Sequence, residues 1–360
     1  MTSKRESTVT RVRLYAGVNI LLFALLLLIF AISLATSSTD VSHLTKSPVT
    51  DAVKVLFHRL FGTPETTDSM KTYSMLVNDI RLPRVITAAF IGAALAVSGC
   101  AMQGLLMNPL ADGSILGISA GGTLGAVAFI AFGAALPPAL AGGGVAVVSI
   151  LFSFLSLLIV LSLAWRFDKG FVTNTIILIG IVFSMLASSV TSLIIAFSGN
   201  KIDHLIHWMM GSLSASKYAN LVWLIPVCVA GILFLMAKAP ELNAFALGEE
   251  QAGYLGVNTR AAKLQIMIVV SALIGVSVSV SGMIGFVGLI PPHIIRLFTG
   301  SNHKRLIPST ALFGASFLML ADLISRTAVR PIEIPIGVVT SLAGSVLFLY
   351  LFNSMRGKKA

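Results

Sequence analysis

Two acids stand together at Glu249 and Glu250, bracketed by Gly248 and Gly256, in the stretch ALGEEQAGYLGVNTR (Ala246–Arg260). Glutamates at the start of a short helix lie favourably against its N-terminal dipole, and Gly256 suits its end. A helix of about eight residues is too short to hold alone in water, so it needs a surface. Helices that lie on lipid are usually rich in Lys and Arg on the polar face. Two leading glutamates point to a protein surface instead.

The second charged grouping is RLPR, in which Arg81 and Arg84 share one side of a starting helix at i, i+3 spacing. Arg326 and Arg330 close a much later apolar run. Exposed guanidinium groups suit bidentate pairing with carboxylates of a docking protein. Snorkelling at a membrane interface accounts for the same residues. Asp322 is the main acid within an apolar run; a hydrogen bond that fixes helix packing explains it better than an ion site.

Covalent chemistry has no visible seat. The chain lacks a G-x-x-x-x-G-K-[ST] phosphate loop and an H-E-x-x-H metal pair. No Ser/His/Asp grouping presents itself. Cys100 and Cys228 both fall inside apolar runs, which suggests neither a disulfide framework nor a metal site. This reading expects no catalytic residue, no bound metal and no cofactor on this chain.

What must position these groups is a membrane bundle. The 360 residues are 56% hydrophobic and 11% charged, against about 25% charged in a soluble domain, and mean hydropathy is +0.94. Apolar runs of roughly twenty residues recur, each long enough to cross a ~30 Å hydrocarbon core. Ten spans are expected, at about 14–35, 83–106, 115–135, 143–165, 172–197, 220–237, 264–283, 285–298, 307–327 and 335–352. The eighth is short and broken by Pro291 and Pro292. The first follows a basic start but exceeds a signal-peptide core, and is read as a retained span. Fifteen of the 25 lysines and arginines fall on the N-terminal side of this topology. That bias puts both termini, and residues 238–263, in the cytoplasm. The same rule accounts for the net charge of +11 without nucleic acid as a partner.

The long outer segment 37–80 contains VTDAVKVLFHRLFG, whose Val49, Val53, Leu56, Leu60 and Phe61 fit a short surface helix. A faint repeat, offset by 183 residues, aligns Ala89–Leu110 with Ala272–His293. The two copies run in opposite senses across the membrane, an arrangement common in transporters. The expected architecture is an all-α polytopic membrane protein with an inverted internal repeat, residues 1–360 forming a single transmembrane domain. An ion-coupled secondary transporter is the alternative, but it needs a membrane-embedded charge that the spans largely lack.

With these residues in view, the chain resembles the iron-siderophore, haem and vitamin B12 uptake permeases (FecCD-type), membrane subunits of type II ABC importers. The likeness runs from about residue 15 to 352. It rests on RLPR (81–84), GAALAVSGCAMQGLLMNPLADGSILGISAG (92–121), WMMGSLS (208–214), LNAFALGEEQAGYLGV (242–257), GFVGLIPPHIIR (285–296) and EIPIGVVTSLAG (333–344), in that order. The proline doublet before His293 departs from the usual single proline and leaves the local kink open.

The resemblance implies a coupling helix within Leu247–Val257, seated in a groove of a cytoplasmic ATPase subunit. Glu249 and Glu250 would contact that subunit; Leu247, Gly248, Ala252, Leu255 and Gly256 would shape the surface. ATP and Mg would then be bound by two partner ATPase subunits. Arg81, Arg84 and Arg326, with Arg330 nearby, would pair with glutamates of an extracytoplasmic binding protein. The pathway would lie between two permease copies, a homodimer or a pair of paralogues, with Thr173 and Asn174 at the inner gate. Helix capping explains Thr173 and Asn174 equally well. The cargo implied is a ferric siderophore first, then haem or cobalamin; His204 and His207 hint only feebly at haem. The place implied is the cytoplasmic (inner) membrane of a bacterium.

Overall fold

A computed structural model describes residues 2–36, 47–61, 68–133, 144–168 and 172–356. Parts of the expected outer loop, 37–46 and 62–67, lie outside the described residues, as do Lys169, Lys358 and Lys359. Apolar runs in hydrocarbon must satisfy every backbone N–H and C=O internally, and the α-helix does so within one segment. Each expected span accordingly holds a helix. In chain order the helices are α1 (Thr2–Ala35), α2 (Pro48–Phe61), α3 (Asp68–Met75), α4 (Leu82–Leu105), α5 (Ile118–Phe132), α6 (Gly144–Phe167), α7 (Thr173–Ala196) and α8 (Ile202–Met209). They continue as α9 (Tyr218–Ala237), α10 (Ala239–Phe245), α11 (Glu249–Tyr254), α12 (Thr259–Ser281), α13 (Ile290–Thr299), α14 (His303–Thr327) and α15 (Ile336–Arg356). Seven described helical segments are long and apolar enough to cross a membrane, and two shorter apolar helices (Ile118–Phe132 and Ile336–Tyr350) accompany them.

The bundle is built around α4, which is buried along almost its whole length. Its most extensive partner is α14. The two backbones meet at Gly92 and Gly314, where a Cβ on Gly92 would come within 2.3 Å of the Gly314 carbonyl oxygen. Small residues are what allow such an approach where no hydrophobic drive pulls apolar helices together. The repeat segments also touch each other: a Cβ on Gly99 would fall 1.7 Å from the oxygen of Gly288.

Two expectations change. Residues 282–289 are not helical, and the chain passes through positive φ at Gly282 and Phe286. Helix α13 begins only at Ile290, with Pro291 and Pro292 in its first turn. Proline there loses no intrahelical bond and its φ is already helical. The doublet therefore starts a short helix instead of kinking a long one. On α2, Ala52 and Val55 face inward while Val49, Val53 and Phe57 stay exposed, so the expected Val49–Val53 stripe is the outer face.

Candidate functional site

The charged groups gather at the two ends of the bundle. At one end, the arginine pole, a π-helical turn (Leu76–Arg81) runs into α4, so that Arg81 and Arg84 enter the protein interior. Arg81 donates through Nη1 to the carbonyls of Leu34 (2.7 Å) and Ala35 (3.0 Å), and its guanidinium stands 5.3 Å from the Tyr73 ring. Arg326 donates to the carbonyls of Ser33 (2.6 Å) and Thr36 (2.7 Å). Ser33, Leu34 and Ala35 carry last-turn carbonyls of α1, which have no partner within their own helix, and Thr36 follows directly after it. Two cations placed there also oppose the negative end of the helix dipole.

Asp322, fully buried on α14, accepts from Arg84 Nε at 2.8 Å and pairs with Arg326 Nε at 3.2 Å. Arg84 Nη1 reaches Glu333 as well, at 3.0 and 3.1 Å. The helix-packing reading of Asp322 is what the geometry shows.

Exposed arginines at RLPR and at Arg326 are corrected by this arrangement. Arg81, Arg84 and Arg326 are 2%, 7% and 3% exposed. The i, i+3 spacing places Arg81 and Arg84 together, but their shared face packs on α1 and α14 instead of solvent. Arg330 is the exposed member of the four.

Beside this cluster the chain leaves the helical pattern. Ser212 N–H donates to Ser281 O (2.9 Å), Ile336 N–H to Gly211 O (3.1 Å) and Gly337 N–H to Met210 O (3.1 Å). Non-helical backbone at membrane depth needs such protein partners. These crossings border a cavity of about 570 Å³, lined among others by His204, His207, Trp208, Ser214 and Glu333. Among the described residues no three His, Cys, Asp or Glu side chains are grouped to hold a metal ion.

At the opposite, glutamate pole, α10 and α11 form a bent pair. Gly248 takes φ +110° ahead of α11 and Gly256 takes φ +87° behind it, a region that side chains with Cβ avoid. Ala252 is fully buried and anchors α11 on the bundle, so it does not belong to an outer surface. Glu249 is half-buried: its carboxylate lies 2.5 Å from the ammonium of Lys263, a buried residue of α12. Glu250 is exposed and accepts from the Tyr254 hydroxyl at 3.2 Å. Around it Leu247, Tyr254 (77% exposed) and Leu255 (64%) stand in the open. Sequence reasoning missed Tyr254, although an aromatic on the polar side of a short helix was visible.

The expected gate residues are split. Thr173 is buried with a hydroxyl that has no partner among the described residues, and Asn174 is exposed. Neither caps α7. Val172 stands at the N-cap position without a side-chain cap, and the Asp168 carboxylate accepts from the Val172 N–H (3.2 Å) and the Thr175 hydroxyl (3.3 Å).

Among the described residues the chain thus presents a buried ionic clasp at one end and an exposed apolar knob at the other. Comparison with known proteins decides its kind. The model of the FecCD transport family matches residues 20–354. The chain belongs to the FecCD transport family. This FecCD-family chain is 40% identical over 314 residues to the uncharacterized ABC transporter permease protein YvrB of Bacillus subtilis (strain 168), covering 87% of this chain and 88% of that one. It is 38% identical over 339 residues to the hemin transport system permease protein HmuU of Yersinia pestis, covering 93% and 96%. A solved metal-chelate type ABC transporter in an inward-facing conformation superposes with a TM-score of 0.79 at 29% identity, over 95% of this chain and 99% of that one. The FecCD-family chain is thus a multi-pass ABC transporter permease with the type II importer fold.

Proposed function

We propose that this permease is the membrane subunit of an ATP-driven importer that carries an iron-siderophore chelate, or a haem- or cobalamin-like one, into the cytoplasm. Its relatives are named for hemin, cobalamin and ferric citrate. The observation that carries the reading is the exposed apolar group Leu247, Tyr254 and Leu255 beside Glu250, held on a helix too short to stand alone. Such a surface suits the groove of a cytoplasmic ATPase, with one ATPase on each of two permease copies. ATP and Mg²⁺ would sit on those subunits, and this chain would do no covalent chemistry.

In this reading the arginine pole faces outward and receives a binding protein, and both termini lie in the cytoplasm. Arg330 is the cation available for its carboxylates, while Arg81, Arg84 and Arg326 hold the platform together. A second permease copy, identical or a paralogue, would lie against α7, whose Leu178, Val182, Met185 and Leu186 are exposed. Asn174 at the start of that helix would contribute to the inner gate. Asp322 argues against ion coupling, because its carboxylate is already engaged by two guanidinium groups.

The test is reconstitution in proteoliposomes with the ATPase and binding protein encoded beside the permease. Tyr254→Ala with Leu255→Asp is expected to abolish ATPase recruitment while the permease still folds. A wild-type protein that recruits no ATPase and transports on an imposed proton or sodium gradient would sink the proposal.

A further inference from the structure

Asn243 lies on α10, four residues before the exposed Leu247. Its side chain is fully committed to the first turn of α14. Oδ1 accepts from the backbone N–H of His303 (2.9 Å) and from His303 Nδ1 (2.9 Å), and Nδ2 donates to Asn302 Oδ1 (3.1 Å). Asn302 Oδ1 also accepts from the Lys304 N–H at 3.0 Å and so caps α14. An Asn302 oxygen that accepts fixes the amide orientation of Asn243, and Nδ1 of His303 must then carry the proton. The imidazole is buried and wedged against α4, where a Cβ on Gly104 would approach Nε2 within 2.5 Å.

The helix gripped in this way reaches the other pole. At 1.5 Å per residue, Asp322 is roughly 30 Å from His303 along α14. There Asp322 and Arg326 are bound to Arg84, Ser33 and Thr36. Between the two ends α14 is keyed to α4 at Gly92 and Gly314. By contrast, α11 packs on α10 and α12. A displacement of α11 reaches α14 directly through α10, beside the longer route through α12 and α4, and Asn243 is a polar link at the α10–α14 junction.

We infer that Asn243 is a positioning residue that makes α14 a rod between the two docking ends, so that the state of the arginine pole sets how α10 and α11 are presented. This rests on the importer reading above. Coupling of this kind needs an element biased from both ends, and α14 is bound by polar clasps at both.

The experiment compares wild type, Asn243→Ala and Asn243→Asp in proteoliposomes with the partner ATPase, with and without loaded binding protein. Asn243→Ala is expected to keep ATPase association and basal ATP hydrolysis, and to lose stimulation by the binding protein about fivefold or more. Asn243→Asp keeps both acceptor bonds to His303 but sets its second carboxylate oxygen against the accepting Asn302 Oδ1, and is expected to recover part of the stimulation. Full stimulation in Asn243→Ala overturns the inference alone. So does loss of association and basal hydrolysis in proportion to stimulation, or failure of the aspartate to rescue, because either marks a plain folding role. A wild-type chain that recruits no ATPase overturns the importer reading, and this inference with it.

Discussion

Lys263, enclosed on α12, holds its ammonium 2.5 Å from the carboxylate of Glu249 on α11. The pair closes the glutamate pole from inside. It also divides two adjacent acids into different roles, since Glu250 next to it is exposed. Only the Lys263 end is buried, so removing the half-exposed Glu249 leaves a buried ammonium without this partner. Glu249→Gln is therefore expected to lower stability by about 1–3 kcal/mol. Glu249→Gln with Lys263→Met should recover most of that loss. Thermal unfolding of the purified permease in detergent checks both; a Glu249→Gln protein that melts like wild type would show that the pair is not a tether.

The four arginines should separate by burial instead of by sequence proximity. Arg326→Ala leaves Asp322 short of one guanidinium and leaves the Ser33 and Thr36 carbonyls without their donor. A loss of about 3–5 kcal/mol is expected, with increased proteolysis near the end of α1. Arg326→Lys should rescue little, because an ammonium cannot span the fork of acceptors. Arg330→Ala is expected to leave thermal stability within about 0.5 kcal/mol of wild type. Its effect should appear instead as weaker stimulation by the binding protein, measured by titration into the reconstituted complex.

Asp168 and Thr173 give a third contrast. Asp168→Ala removes the acceptor of the Val172 N–H and the Thr175 hydroxyl, worth about 0.5–1.5 kcal/mol. Thr173→Val replaces a buried hydroxyl with no hydrogen-bond partner among the described residues, so stability should hold or rise slightly. A Thr173→Val protein that melts well below wild type would contradict this reading of the hydroxyl. A gate role predicts that Asn174→Ala raises cargo leak through liposomes lacking ATP, while Asp168→Ala lowers the melting point.

The spans were readable because hydrocarbon imposes one solution on a long apolar run, whatever its neighbours. The run from 83 to 106 needed no partner to be recognised as α4, and neither did the breaks at Gly248 and Gly256 that bound α11. The likeness to the FecCD family was carried by motifs spread along the whole chain, and these survive any uncertainty about a single loop. Local chemistry therefore located the two poles.

Which side chains face outward was decided only by the tertiary structure. RLPR looks the same whether its arginines meet water or the carbonyls at the end of α1, because the acceptors at Leu34 and Ala35 lie more than forty residues away. Glu249 and Glu250 are indistinguishable by type, yet Lys263 on α12 pairs with only one of them. Asn243 gave no sign of its role, since its partners Asn302 and His303 come about sixty residues later. The sequence by itself determined the helices, the poles and the family. Burial and long-range pairing, which depend on how those helices pack, determined which charges clasp the bundle and which remain for a partner.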